Sequence, residues 1–264
     1  MDGIHAEATT PLLTIEGARA TIRLNRPRVH NRIEPADLAM LAQHFAAIEA
    51  DPEIRVMVLT GTGKSFSSGY HLGDLADRPG AGESPREEGP TFETVANLLE
   101  NLRVPTICRL NGGVYGGSTD LALCCDFRIG IETGEMFMPA ARLGVHYYPS
   151  GLYRYSSRLG LNAAKKLFLT AEKIMAPEML AIGYLTEMVP VDQLDARVNA
   201  LADRLAVMAP LAIQGVKRSL NEISRQELDV QANLDRAKVC GASEDLQEGL
   251  AAFREKRTPV FKGR

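Results

Sequence analysis

Short apolar runs separated by helical segments constrain this chain more than any other feature. Residues 54–60 (IRVMVLT) form a continuous β-branched run that ends at Gly61, with 104–110 (VPTICRL) and 127–131 (FRIGI) as a second and a third. A strand with one wet face alternates polar and apolar residues, whereas one covered on both faces does not. Between the strands, Glu34-Pro35 opens a helix with Leu38, Leu41, Phe45 and Ile48 at helical spacing. Strands separated by helices imply βα units and a largely parallel sheet. Residues 12–16 and 18–24 read as two further strands around a turn at Gly17. No strand signal follows Val189. Instead, Leu194, Val198, Leu201 and Leu205 make one helical stripe, and Leu246, Leu250 and Phe253 make another after a Ser243 cap. The predicted class is α/β, a β-rich core with a helical C-terminal layer. A chain of 264 residues suffices for one large domain, or one domain with an extension.

Composition excludes several functions. Lys and Arg number 30 against 33 Asp and Glu, so the basic footprint of a nucleic-acid binder is missing. No apolar run approaches the ~18 residues of a membrane span, and residues 1–10 lack a signal core. The cysteines, Cys108, Cys124, Cys125 and Cys240, form no C-x-x-C pair and read as free, mostly buried thiols, which fits a cytoplasmic protein. No metal-ligand spacing or nicotinamide fingerprint appears, so neither metal nor redox cofactor is expected. Residues 77–90, rich in Gly, Pro and charge, read as a long functional loop.

Two small-residue turns carry the chemistry. The first, residues 61–72, follows a strand. Its Gly61-Thr62-Gly63-Lys64-Ser65 looks like the end of a phosphate-binding loop, but the glycine required five residues before Gly63 is Val58. The second, residues 111–122, runs from a buried strand through Gly112-Gly113 and Gly116-Gly117 into an apolar helix. Glycines at a helix start allow close approach to the backbone, and the free N–H groups there favour a developing negative charge. Tight helix–sheet packing would explain these glycines alone, but not the second turn. Two converging turns can place two backbone donors on one oxygen, as an enolate requires.

The ordered set of motifs resembles the enoyl-CoA hydratase/isomerase (crotonase) family. It comprises Leu24-Asn25-Arg26-Pro27…Asn31, Ser65-Phe66-Ser67-Ser68-Gly69, Gly116-Gly117-Ser118-Thr119-Asp120-Leu121-Ala122, Cys125-Asp126-Phe127-Arg128-Ile129, Pro177-Glu178…Gly183-Tyr184-Leu185 and Lys256-Arg257-Thr258-Pro259-Val260-Phe261. The resemblance spans nearly the whole chain. It implies a spiral core of ββα units over residues 1–200 that holds an acyl-CoA site. Residues 201–264 would be a helical region for self-association as a trimer or a dimer of trimers. Coenzyme A would enter as part of the substrate, not as a cofactor.

By the same resemblance, the oxyanion donors would be the N–H groups of Ser68 and Gly117. The first catalytic carboxylate falls on Asp120, where hydratases carry Glu; some isomerases of the family carry Asp there. The side chain is about 1 Å shorter, a misplacement that can cost roughly a hundredfold. An acid in a first helical turn can also serve the helix alone. The second hydratase carboxylate falls on Ala140, which cannot transfer protons, so standard two-carboxylate hydration is not expected. His146, Tyr147 and Tyr148, on the loop after Ala140, are candidate proton carriers. His71 stands where the family mostly has Asp. Arg26 and Arg28 would lie near the pantetheine and phosphate channel, and Ser67 and His71 near the substrate. Phe261 and Lys262 would reach the adenine end, often across a subunit boundary. The expected chemistry is double-bond isomerisation or an atypical hydration or dehydration. Hydrolysis of a thioester or ring C–C bond, and acyl-CoA binding without turnover, are the alternatives.

Overall fold

In a computed structural model, residues 9–71 and 89–264 are described. Six strands form one sheet in the order β1 (Leu12–Glu16), β2 (Arg19–Leu24), β3 (Val56–Gly61), β4 (Thr106–Leu110), β6 (Phe127–Ile131) and β9 (Glu187–Val189). Within this sheet only β1 and β2 pair antiparallel, around Gly17 at φ +56°, and the other pairings are parallel. The reason is the one read from the unbroken runs: β3 is buried along its entire length. One face of the sheet meets a core containing Ile22, Met57, Leu59 and Cys108, with Leu38, Leu41, Phe45 and Ile48 of α1 (Pro35–Ala50) packed against it. The other face, with Val56, Val58, Ile107 and Ile129, meets Val198, Ala202 and Leu205 of a helix at Leu194–Ala206. That helix runs without a break through residue 200. The expected boundary there therefore falls inside a helix that belongs to the sheet core.

A second sheet joins three strands too short to show periodicity: β5 (Val114–Tyr115), β7 (Glu135–Phe137) and β8 (Ile174–Met175). β5 lies within the second glycine-rich turn and ties it to the first. Phe66 N–H donates to Gly113 O, and Tyr115 N–H donates to Ser67 O, each at 3.0 Å. Three helices bring the site together: α2 (Phe92–Glu100), α3 (Gly117–Cys124) and α4 (Pro149–Leu159). Thr91 caps α2, its hydroxyl accepting from Thr94 N–H. All four cysteines are free, and three of them are buried. Among the described residues, no helix is long and apolar enough to cross a membrane. Most of the long loop expected at residues 77–90 lies outside the described residues, as do residues 1–8.

Candidate active site

The first turn is built around one side chain. Asn31, buried and at φ +52°, shares its amide hydrogens among the carbonyls of Thr62, Ser65 and Phe66, and its Oδ1 accepts from Arg26 N–H. Ser67 then fastens this turn to α3. Its hydroxyl donates to Asn31 O at 2.6 Å and accepts from Gly69 N–H at 3.1 Å and from the Ser118 hydroxyl. One donor and two acceptor sites are all a hydroxyl has. Ser67, expected near the substrate, is therefore fully used in joining the turns, and it is completely buried.

The turns meet at two glycines. A Cβ on Gly69, which has φ +93°, would stand 2.7 Å from Tyr115 O and 3.3 Å from Gly117 N. Only glycine permits that approach at that backbone angle. Gly117 opens α3, and its N–H has no hydrogen-bond partner among the described residues. The first turn of α3 is held from below. Thr119 Oγ1 donates to Gly116 O at 2.6 Å and pairs with the Tyr155 hydroxyl, and Tyr184 Oη donates to Thr119 O at 2.9 Å.

Ser68 does not fit the donor role expected of it. Its N–H already donates to His30 O at 2.7 Å. The next residue but one is oriented differently. Ile33 pairs in parallel with Tyr70 by donating to Gly69 O and accepting from His71 N–H. In such a bridge the N–H of the central residue, Tyr70, faces away from Ile33.

These turns floor a cavity of about 440 Å³ whose wall includes Tyr70, Phe92, Glu93, Ala140, Tyr147 and Tyr148. Ala140, where the resemblance puts the second hydratase carboxylate, is among the residues of this wall. His146 also lines it, from an exposed loop, its Nδ1 2.9 Å from Tyr147 O. Tyr147 and Tyr148 stack at 4.3 Å between centroids, and Phe92 leans on Tyr148 at 6.3 Å and on Tyr70 at 5.9 Å.

Asp120 is not on the wall. It is fully buried behind Tyr148, whose hydroxyl donates to Oδ2. Arg154 holds the carboxylate from the other side in a two-point pair, Nε to Oδ1 at 3.0 Å and Nη2 to Oδ2 at 2.9 Å. Arg154 continues to Glu100 at 3.0 Å, which also meets Arg158 at 3.1 Å and Arg225 at 3.3 Å. In this arrangement Asp120 reaches a substrate only through Tyr148. Arg154 was not among the residues expected at the site. Its signal was the face it shares with Gly151 and Tyr155, the buried side of α4.

The remaining expected ligand residues lie elsewhere. Arg26 is occupied by Asp37 at 2.8 Å and Glu34 at 3.4 Å, and the hydrogen bond to Asp37 raises its pKa. Arg28 is exposed on the short turn Pro27–Val29. His71 lies at the Ile33 bridge, within electrostatic reach of Glu34 and off the cavity wall. Phe261 and Lys262 lie against the helix Glu244–Glu255 of their own chain. Phe261 approaches Gly249, and Lys262 N–H donates to Asp245 at 2.7 Å. Within one chain they do not line the cavity.

Burial, and then the Asp120 charge, push the phenols of Tyr147, Tyr148 and Tyr155 well above the ordinary value. Burial raises Tyr184 too, and burial with the Glu135 hydrogen bond brings Tyr115 up to about 12. A folded-state pKa above the unfolded one gives stability that is intact below the unfolded value and lost as pH rises toward the folded value. Alkaline unfolding is therefore expected to begin above about pH 10, where unfolded phenols ionise. In a pH titration, phenolate absorbance from Tyr147, Tyr148, Tyr155 and Tyr184 should rise together with loss of circular dichroism. Titration of all the phenols near pH 10 with the fold intact would contradict this.

A mixed sheet wrapped by helices carries a cavity floored by two glycine-rich turns at the head of a buried helix, an α/β fold with one candidate site. The sequence model of the family described as Enoyl-CoA hydratase/isomerase matches residues 14–264, and the chain belongs to that family. It is similar to a crotonyl-CoA hydratase of Syntrophomonas wolfei, 30% identical over 95% of this chain and 96% of that one. A carnitinyl-CoA dehydratase of Salmonella typhi is 32% identical over 96% and 98%. Among solved structures, an enoyl-CoA hydratase/carnithine racemase of Magnetospirillum magneticum superposes with a TM-score of 0.91 at 30% identity, over 98% and 97%.

Proposed function

We propose that the protein binds an acyl-CoA thioester with its carbonyl oxygen between the N–H groups of Gly117 and Tyr70, and stabilises the enolate formed by proton transfer at Cα. The carrying observation is the contact of Gly69 with Gly117 on the cavity floor, which brings the two turns within reach of one oxygen. Preorganised donors of this kind act on charge that develops in the transition state, so they speed the reaction and do not merely tighten binding. Tyr148 is the hydroxyl that meets the substrate, and Asp120 is the group that positions it.

With Ala140 on the wall and Asp120 behind Tyr148, the hydratase pair of carboxylates is missing from the cavity. The reading these residues support best is double-bond isomerisation of an enoyl-CoA. Hydration or dehydration is the second reading, favoured by the hydratase and dehydratase names of the relatives. The exposed side chains of Leu220, Ile223, Leu234 and Phe253 on the C-terminal helices support self-association through that layer.

Conjugation separates the readings. A 3-enoyl-CoA is expected to gain conjugated-thioester absorbance on incubation with the protein, whereas hydration would instead remove it from a 2-enoyl-CoA. Tight binding of a broad acyl-CoA panel with no turnover would defeat the enzyme reading.

A further inference from the structure

We infer that Glu93, on the first turn of α2, is the acid–base group that carries the substrate proton in this cavity. The inference rests on the enolate reading above and names the residue that reading lacks. Among the described residues that line the cavity, Glu93 is the only carboxylate. Asp120, the carboxylate expected from the resemblance, has Tyr148 on one oxygen and Arg154 on both.

Glu93 is held in place by its neighbours. Phe92, beside it in the chain, rests over Gly117, where a Cβ would come 2.9 Å from the ring. On the other side, Ser150 at the start of α4 donates to Glu93 Oε1 from Oγ at 2.7 Å and from N–H at 3.4 Å. The carboxylate is therefore bracketed between the helix that offers the Gly117 N–H and the helix that follows Tyr148. Oε2 accepts no hydrogen bond from the described residues and remains available. A carboxylate fixed through one oxygen, half-buried, and lining the cavity that holds the donors has the geometry of a general base.

The step balances within the substrate. The Cα–H bond of a 3-enoyl thioester breaks and its proton passes to Glu93 Oε2. The electron pair spreads onto the thioester oxygen as a dienolate. Glu93 then returns the proton to Cγ, the double bond moves into conjugation, and the carboxylate is regenerated. No co-reactant is needed.

A purely structural reading also exists, in which Glu93 only caps α4 through Ser150. Glu93→Gln separates the two, because the amide oxygen keeps both Ser150 bonds and removes only the basic group. Hydrogen exchange at Cα of butyryl-CoA in D2O, followed by NMR, reads the proton step without any later chemistry. Glu93→Gln is expected to slow exchange by about 10²–10⁴-fold, the usual range for a general base, with the Kd for butyryl-CoA within a few-fold of wild type. Formate is expected to restore part of the exchange to Glu93→Ala. Exchange by Glu93→Gln at the wild-type rate, or no formate rescue of Glu93→Ala, would overturn the assignment and leave the enolate reading standing. No exchange by the wild-type protein would instead overturn the enolate reading, and the role of Glu93 with it.

Discussion

Arg154→Met is expected to cost about 3–5 kcal/mol of stability, the range for breaking a buried ion pair from one side. Arg154, Asp120 and Glu100 are each at most 2% exposed. Methionine fills much of the volume but leaves Asp120 with the Tyr148 hydroxyl as its main donor and removes a partner from Asn97 Oδ1. Glu100 keeps Arg158 and Arg225, so the penalty centres on Asp120. For a domain whose total stability is about 5–15 kcal/mol, that is a large share. Urea denaturation would show the midpoint fall. Adding Asp120→Asn should return part of the loss, because the uncompensated charge is then gone. A midpoint unchanged in Arg154→Met would mean that the network does not bear on the fold. The effect should extend to function, since the same residues clamp α2 and α3, which carry Glu93 and Gly117, and α4, which Tyr148 precedes.

Gly69→Ala has the second large effect, on rate. The new methyl would lie 2.7 Å from Tyr115 O, a backbone atom that cannot swing aside, and 3.3 Å from Gly117 N. The turns must separate, and the N–H groups of Tyr70 and Gly117 no longer meet on one oxygen. Loss of one such donor typically costs about 10²–10³ in kcat. Gly17→Ala serves as the control: its φ is also positive, +56°, but nothing lies within 4 Å of the added methyl. It should carry a similar backbone penalty with activity intact. Equal activity in the two variants would remove the close approach of the turns from the mechanism.

How much was legible in the sequence depended on how local each signal was. The runs around residues 54–60, 104–110 and 127–131 specify strands buried on both faces by themselves, and β3, β4 and β6 lie there. β5, β7 and β8 span two or three residues each, too few for a period, and exist because they pair with one another across the small sheet. The helix start at Gly117 was legible because a glycine pair there precedes an apolar helical run. Which N–H of the first turn is taken up is not local: Ser68 N–H goes to His30 O, and the orientation of Tyr70 depends on the Ile33 bridge, a contact 37 residues away in the chain. Asp120 looked like a cavity acid because its partner Arg154 comes 34 residues later, on another helix. Nothing in the sequence around Glu93 sets it apart from other acids. Only the meeting of α2 with α4 shows that it faces the cavity.

The central claim, two backbone donors on the thioester oxygen, is tested most directly by infrared difference spectroscopy of an acyl-CoA ¹³C-labelled at the thioester carbonyl. Donors at Gly117 and Tyr70 polarise the C=O bond, so the labelled stretch should fall in frequency when the ligand binds the wild-type protein and return toward its free value in Gly69→Ala. A stretch that does not move on saturating the wild-type site would contradict the account.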